Sequence, residues 1–339
     1  MPTLYVIEQG AEIGCDGERL EVRRTAEILA SMPLVKISDI VIFGNVGLTT
    51  PAIKRLLDRG IDVTFMTSEG RYHGRLVGEA TAHVALRQAQ YARAADPAWA
   101  LRQAQAIVGG KLRNQRALLQ RFSRNRANPP IEAEQAAEAM SEAIDRTGRT
   151  TRISALLGVE GSATARYFGG LRSLIGPDWN FNARNRRPPA DPVNVLLSLG
   201  YTLLAHKVRG AVQAAGFDPY LGFLHQVDYG RPSLALDLME EFRPLLVDSL
   251  VLRMCGDGRI VAEDFSPGEA SRPVILSDAG KRRFIGAFEE RLRTEVTHPQ
   301  GADSGPGRVG YLRCLELQAR QLAQVVRSDA GRYSPFTAR

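Results

Sequence analysis

The stretch Arg71-Tyr-His-Gly-Arg-Leu-Val-Gly-Glu-Ala-Thr-Ala-His-Val-Ala-Leu-Arg-Gln-Ala-Gln-Tyr-Ala-Arg-Ala94 changes character part-way along, and that change decides the fold class. Its first residues read as a short strand, separated by the turn signal Ser68-Glu-Gly from a second strand, Ile61-Asp-Val-Thr-Phe-Met. From about Thr81, Ala, Arg, Gln and Leu dominate and the apolar residues fall at helical spacing. Upstream, Leu4-Tyr-Val-Ile, Glu18-Arg-Leu-Glu-Val-Arg and Leu34-Val-Lys-Ile-Ser-Asp-Ile-Val-Ile-Phe are further β-rich runs, punctuated by Cys15-Asp-Gly and Gly44-Asn-Val-Gly. Thr50-Pro51 has the form of an N-cap and first helical position, opening a short helix that stops at Gly60. Downstream, helical spacing runs from 82 to 122 with a break at Asp96-Pro97, then near 132–147, 152–174, 192–215, 233–255, 277–295 and 307–328. Asp191-Pro192 and Ser277-Asp278 are good helix starts. The expectation is an α+β multidomain chain: a small β-rich N-terminal domain (1–78), a linker (79–84) and a larger all-α domain (85–328). A Gly-, Ser- and Pro-containing tail (329–339) is expected to fray.

A length of 339 residues fits two domains, and 44% hydrophobic with 24% charged residues excludes a disordered chain. The longest apolar run, 193–205, is interrupted by Asn194, Ser198, Gly200 and Thr202. It falls short of the ~18 uninterrupted apolar residues that a membrane span needs. The N-terminus has no basic n-region and no long apolar h-region, so no signal peptide is expected. Cys15, Cys255 and Cys314 are odd in number and far apart, which suits neither a disulfide framework nor a zinc knuckle; a cytoplasmic protein is expected. Residues 1–80 carry 9 Lys+Arg against 11 Asp+Glu, so the formal charge of +7 comes from a remainder at +9. A basic surplus confined to one region suits a polyanion-binding domain, although a surface kept positive for solubility explains it equally well.

Three residues are out of place for a plain helical domain. On a helical wheel from Arg152 to Leu171, Ile153, Leu156, Leu157, Tyr167, Phe168 and Leu171 gather on one face with Glu160 in its middle. A carboxylate there is costly unless a cation or donor meets it; a core arginine or a sideways reach to water are the plain explanations. In Ser233-Leu-Ala-Leu-Asp-Leu-Met-Glu-Glu-Phe-Arg-Pro, Glu240 falls among Leu236, Val247 and Val251, whereas Asp237, Glu241 and Asp248 lie on the polar side. Glu241 is expected on a solvated face, and Asp237, one turn before Glu240, is placed to support it. His225 ends the apolar segment Gly222-Phe-Leu-His before a loop; taken alone it reads as a satisfied core or loop residue, as do His206, His73, His83 and His298. Two inward carboxylates and one imidazole make a plausible Mg2+ or Mn2+ site, the imidazole tilting the choice towards Mn2+.

The absence of Cys-X-X-Cys, His-Glu-X-X-His, a Walker A loop and Gly-X-Gly-X-X-Gly after a strand argues against structural zinc, a zincin and nucleotide cofactors. Arg184, Arg186 and Arg187 sit in a Pro-bounded loop directly before a helix N-terminus, a good phosphate site, which Arg231, Lys281, Arg282 and Arg283 extend. Lys111, Arg113, Arg116, Arg121, Arg124 and Arg126 add either a basic stripe or an ordinary solvated helix face.

The strings Asn185-Arg-Arg-Pro-Pro-Ala-Asp-Pro-Val-Asn-Val-Leu-Leu-Ser, Gly222-Phe-Leu-His and Gly230-Arg-Pro-Ser-Leu-Ala-Leu-Asp-Leu-Met-Glu-Glu-Phe-Arg-Pro resemble the CRISPR-associated spacer-acquisition endonuclease and integrase family, "Cas-one". The resemblance covers nearly the whole chain and is most specific in the helical domain. It implies a metal site of Glu160, His225 and Glu240, with Asp237 as a supporting acid. It further implies a metal-dependent DNA endonuclease and integrase of CRISPR adaptation. Such an enzyme inserts captured foreign DNA at CRISPR repeats by phosphodiester transesterification, a 3′-hydroxyl attacking. Homodimers through the β domain and a small ferredoxin-like partner, "Cas-two", are implied as well. The competing reading is a catalytically silent DNA-binding scaffold, which would use the basic residues and leave Glu240 without a task.

Overall fold

β-branched runs with turns between them build the first unit of the chain. The computed structural model describes residues 2–78, 83–185, 188–225, 228–302, 305–328 and 331–338, and the chain divides into Met1–Ala80 and Thr81–Arg339. In the first unit, β1 (Thr3–Val6), β5 (Asp39–Phe43) and β7 (Asp62–Met66) pair in parallel, and β8 (Tyr72–Leu76) closes the edge antiparallel to β7. Parallel neighbours need a crossover, and between β5 and β7 the crossover includes α1 (Thr50–Asp58). The Thr49 hydroxyl caps α1 by accepting from Ala52 N at 3.3 Å. A second sheet runs β4 (Glu27–Pro33), β3 (Arg19–Arg24), β2 (Glu12–Asp16), β6 (Gly47–Leu48). Ile13, Leu20, Ile40, Leu56 and Val63 form the buried centre of this unit. The sequence reading missed β2 and β4. Gly17 rather than Cys15 opens the β2–β3 turn, and β4 is an edge strand with Ile28 and Leu29 exposed, so it lacks an inward stripe.

The second unit contains α2 (Val84–Ala94), α3 (Pro97–Arg124), α4 (Ile131–Thr147), α5 (Ile153–Leu174) and α6 (Pro192–Ala214). These are followed by α7 (Ser233–Met239), α8 (Ser249–Gly256), α9 (Asp278–Arg293) and α10 (Tyr311–Arg327). Asp96 accepts from Ala98 N and Trp99 N at 2.9 and 3.1 Å, which starts α3 where the Asp-Pro signal placed it. Asp191 and Ser277 cap α6 and α9 in the same way. α3, α4 and α5 pack on one another, and α6 packs on α7 and α10.

Three expectations are corrected here. The single helix expected over 233–255 is interrupted by a turn at 240–242 and a π-helical stretch at 243–248. Pro244 explains the break, because it has no N–H to give to the carbonyl of Glu240 four residues earlier. The unit is also not all-α. β9 (Phe265–Glu269) pairs with β10 (Arg272–Leu276), and β11 (Glu295–Ala302) with β12 (Gly305–Gly310). The Gly- and Pro-rich β11–β12 hairpin has almost no strand propensity of its own, so α10 starts at Tyr311 and not near Gly307. Finally, residues 331–338 do not fray: Tyr333 and Phe336 are buried. Phe336 stacks between Phe242 (5.9 Å, 8°) and His298 (5.4 Å, 11°).

Candidate active site

Glu160 on α5, Lys111 on α3 and Glu240 just after α7 meet through one ammonium group. Lys111 Nζ donates to Glu160 Oε1 and stands 2.7 Å from Glu240 Oε2. Thr164, one turn along α5, donates its hydroxyl to Glu160 Oε1 at 2.9 Å. Arg243 Nε lies 3.0 Å from Glu240 Oε1. Glu240 is 4% exposed, and burial alone would raise its pKa. Arg243, Lys111 and His225 outweigh that and bring it down to about 2. Burial pushes the Lys111 ammonium the other way, and Glu240 and Glu160 together more than reverse it, so it stays charged.

His225 is held by Asp237. One Asp237 oxygen accepts from His225 N at 3.0 Å and lies 2.7 Å from His225 Nδ1; the other accepts from Phe223 N and Leu224 N at 2.6 and 2.9 Å. The carboxylate can only accept, so Nδ1 carries a proton, and in the neutral imidazole it is Nε2 that offers the lone pair. The loop 222–225 lies hard against α7. A Cβ on Gly222 would come within 2.6 Å of Asp237 Oδ2 and 2.9 Å of the Ser233 backbone, so only glycine fits.

Around this centre lies a second set of polar groups that the sequence reading did not assemble. The Arg243 guanidinium covers the Tyr201 ring at 4.6 Å. Tyr201 and Tyr167 both donate to Asp248, at 2.5 and 2.7 Å. Burial raises the Asp248 carboxyl to about 6 despite those bonds. Glu241 points away from its neighbour into a pocket that, among the described residues, holds no cation. Its oxygens accept from Tyr333 Oη (2.8 Å), Gln318 Nε2 (3.0 Å) and Phe336 N (2.9 Å). Asn114 donates to both the Glu241 and the Phe336 carbonyls, at 2.8 and 2.9 Å. Gly110, next to Lys111, allows this chain segment to pass, since a Cβ there would meet Pro335 at 2.4 Å.

Several expectations are revised by this geometry. Asp237, Glu241 and Asp248 are not on a solvated face; all three are at most 1% exposed. The interruption at Pro244 changes the angle that a continuous wheel assumes. Lys111 is not part of a surface stripe but is buried with Ile107 and Leu118, a position its spacing from them already allowed. Of the expected DNA-binding residues, Arg184 is turned inward, donating to Asn194 Oδ1 and Ser198 Oγ at 2.7 and 3.1 Å. Lys281 is buried beside Asp278 at 3.0 Å, and Arg283 pairs with Asp264. Arg282 is exposed and Arg231 half-buried, while Arg186 and Arg187 lie outside the described residues. His298 is the satisfied core histidine expected of it, with Nε2 3.1 Å from Gln318 Oε1.

The donor set fits a hard divalent cation. Two carboxylates from separate elements already share one positive group, and the neighbouring imidazole is oriented by a carboxylate on its other nitrogen, as ligating histidines are. Among the described residues no three His, Cys, Asp or Glu side chains form a ready-made metal cluster; the ammonium of Lys111 lies between the two glutamates instead. Among the described residues no helix is long and apolar enough to cross a membrane.

Comparison with known proteins agrees with this fold. The family described as CRISPR associated protein Cas1 matches residues 4–290. The chain is 37% identical to CRISPR-associated endonuclease Cas1 3 of Thermus thermophilus, over 99% of this chain and 97% of that protein. It is 39% identical to endonuclease Cas1 1 of the same organism, over 98% of each. A Cas1 protein from Thermotoga maritima superposes with a TM-score of 0.81 at 23% identity, over 97% of this chain and 98% of that one. A casposase bound to integration product gives 0.85 at 22%, over 98% and 93%. A Cas6-RT-Cas1--Cas2 complex gives 0.83 at 27%, covering all of this chain and 36% of that chain. The chain belongs to the Cas1 family.

Proposed function

We propose that this chain carries out the DNA cutting and joining of CRISPR adaptation at the Glu160–His225–Glu240 centre, with Mg2+ or Mn2+ as cofactor. The observation that supports this most is the pair of glutamates, brought from α5 and the α7 turn onto one cation beside an anchored imidazole. Glu160, Glu240 and His225 Nε2 are the donors that would hold the ion. When bound, the ion neutralises charge at the scissile phosphate and polarises an oxygen there. Arg243 and Lys111 keep Glu240 ionised and add positive charge next to the reacting phosphate. Asp237 fixes the loop and the tautomer of His225. In joining, a 3′-hydroxyl oxygen forms a new P–O bond, the repeat strand's P–O bond breaks, and its 3′-oxygen leaves with a proton, so the number of phosphodiester bonds is unchanged. A ligating imidazole must be neutral, so activity falls at acidic pH.

Basic residues with access to solvent, exposed Arg282 and half-buried Arg231, would contact backbone phosphates without reading bases. Assembly on a small ferredoxin-like Cas2-type protein, and dimerisation through residues 1–78, complete the proposal, which places the work in the cytoplasm. The test is single-turnover joining of a short duplex with free 3′-hydroxyls to a supercoiled CRISPR-repeat plasmid, with Mn2+, Mg2+ or chelator. Metal-dependent joining that disappears in Glu160→Ala and in Glu240→Ala is the expected result. DNA binding without joining, under any metal and with the partner added, would leave only a scaffold.

A further inference from the structure

The π-helical stretch after Glu240 also forms one wall of a separate cavity of about 420 Å³, lined by Pro244, Leu245, Arg121 and Arg124 of α3, Arg291 of α9 and Tyr311 of α10, among others. Among the described residues, no Asp or Glu lines it. Arg291 is fixed in place: Nε and Nη2 donate to the Leu245 carbonyl at 3.0 and 2.9 Å, and its guanidinium lies 4.8 Å over the Tyr311 ring. Those bonds orient the charge without neutralising it. Arg253 on α8 belongs to the same electrostatic group. Burial lowers its pKa first, and the repulsion of Arg291 and Arg121 lowers it further. The Arg291 guanidinium is likewise lowered by burial and by Arg121, although Tyr311 opposes the shift. Among the described residues no carboxylate pairs with Arg121, Arg253 or Arg291, whereas Arg75 and Arg283 each have an aspartate.

Arg253 and Arg291 are half-buried, and Arg121 and Arg124 are exposed at the mouth of the cavity; repulsion is strongest between the half-buried pair, where little water screens it, and an anion relieves it. Arginine forks suit a tetrahedral phosphate, and the space accommodates a nucleotide-sized group. We propose that this cavity is an anion site that takes a phosphate group, supplied either by the backbone of a nucleic-acid strand or by a free phosphate.

The experiment labels the arginines of the full chain with phenylglyoxal in chelator, with mass spectrometry to identify the sites. Pyrophosphate or a single-stranded thymidine octamer is added as protectant. Either probe is expected to slow labelling of Arg121 and Arg291, which line the cavity, by about fivefold or more and to raise the melting temperature. The double variant Arg121→Gln/Arg124→Gln is expected to lose about tenfold or more in affinity for the probe. Without any anion it should melt no lower than wild type, because repulsion has been relieved, and a merely structural role would not produce that pairing. Protection at lower concentration by the octamer assigns the strand as source, and protection at lower concentration by pyrophosphate assigns the free anion. No protection by either, or wild-type affinity in the double variant, overturns the site. The carboxylate centre is untouched by this test, since Glu240→Ala should still bind the probe and failure here leaves the joining reaction unaffected.

Discussion

Glu240 and Glu241 are adjacent, both almost fully buried, and chemically opposite. The pocket around Glu240 contains Lys111 and Arg243, and its carboxyl is held at about 2. The pocket around Glu241 has a tyrosine, a glutamine and a backbone N–H but, among the described residues, no cation, and burial raises that carboxyl to about 8. Three hydrogen bonds to a carboxylate therefore do not offset desolvation here, whereas two nearby cations do. One pocket keeps a negative charge ready for a cation. The other uses a carboxyl as a structural knot, tying the α7 turn to the segment 331–338.

The largest expected effect tests the first pocket. Glu240→Ala should lower single-turnover joining by at least ~100-fold, beyond what loss of an outer partner of a metal ligand costs, while Glu241→Gln retains most of the activity of the molecules that fold. Comparable losses in both variants would erase the distinction. Lys111→Met comes next. It leaves Glu240 with Arg243 alone and Glu160, among the described residues, with no cation, at a cost of up to about 3 kcal/mol. Added Mn2+ should then raise the melting temperature of this variant more than that of wild type, since the ion replaces the missing ammonium. An equal or smaller metal shift would argue against a shared cation position.

Glu241→Ala strands the donors of Tyr333, Gln318 and Phe336, and about 2–4 kcal/mol of stability should be lost in a denaturant titration. The pH response sharpens the contrast. Glu241, raised in the fold, contributes stability that is fully present below about 4.5 and is lost as pH rises through about 8. Glu240, depressed in the fold, contributes stability present above 4.5 and lost as pH falls towards about 2. Denaturation at pH 5 and pH 8 should show wild type losing stability across that window, and Glu241→Gln losing less. The smallest effect is on the surface: Arg282→Gln should reduce the salt slope of DNA binding by about 1 without changing joining at low salt.

Much of this contrast was legible along the chain, and its limits have physical causes. Glu240 stood out because a carboxylate in an apolar sector needs a reason, and Lys111 with Arg243 supplies it. Glu241 was misplaced because the wheel assumed an unbroken helix, and Pro244 interrupts it. The cation between the two glutamates was hidden, since Lys111 lies 49 residues from Glu160, and only the packing of α3 on α5 joins them. Residues 331–338 looked like a loose end because Tyr333 and Phe336 are tied to Glu241, more than 90 residues away.

Local periodicity, capping chemistry and turn signals determined the β-rich first unit, the helical character of the second and the inward set of Glu160 and Glu240. These are properties of neighbours within a few residues, which the order of amino acids states directly. Which charge meets which carboxylate, which of two adjacent glutamates ionises, and where arginines gather without an acid were decided only by the tertiary structure. Desolvation and Coulomb energies depend on distances through space, and those exist only once α3, α5, the α7 turn and the C-terminal segment have packed.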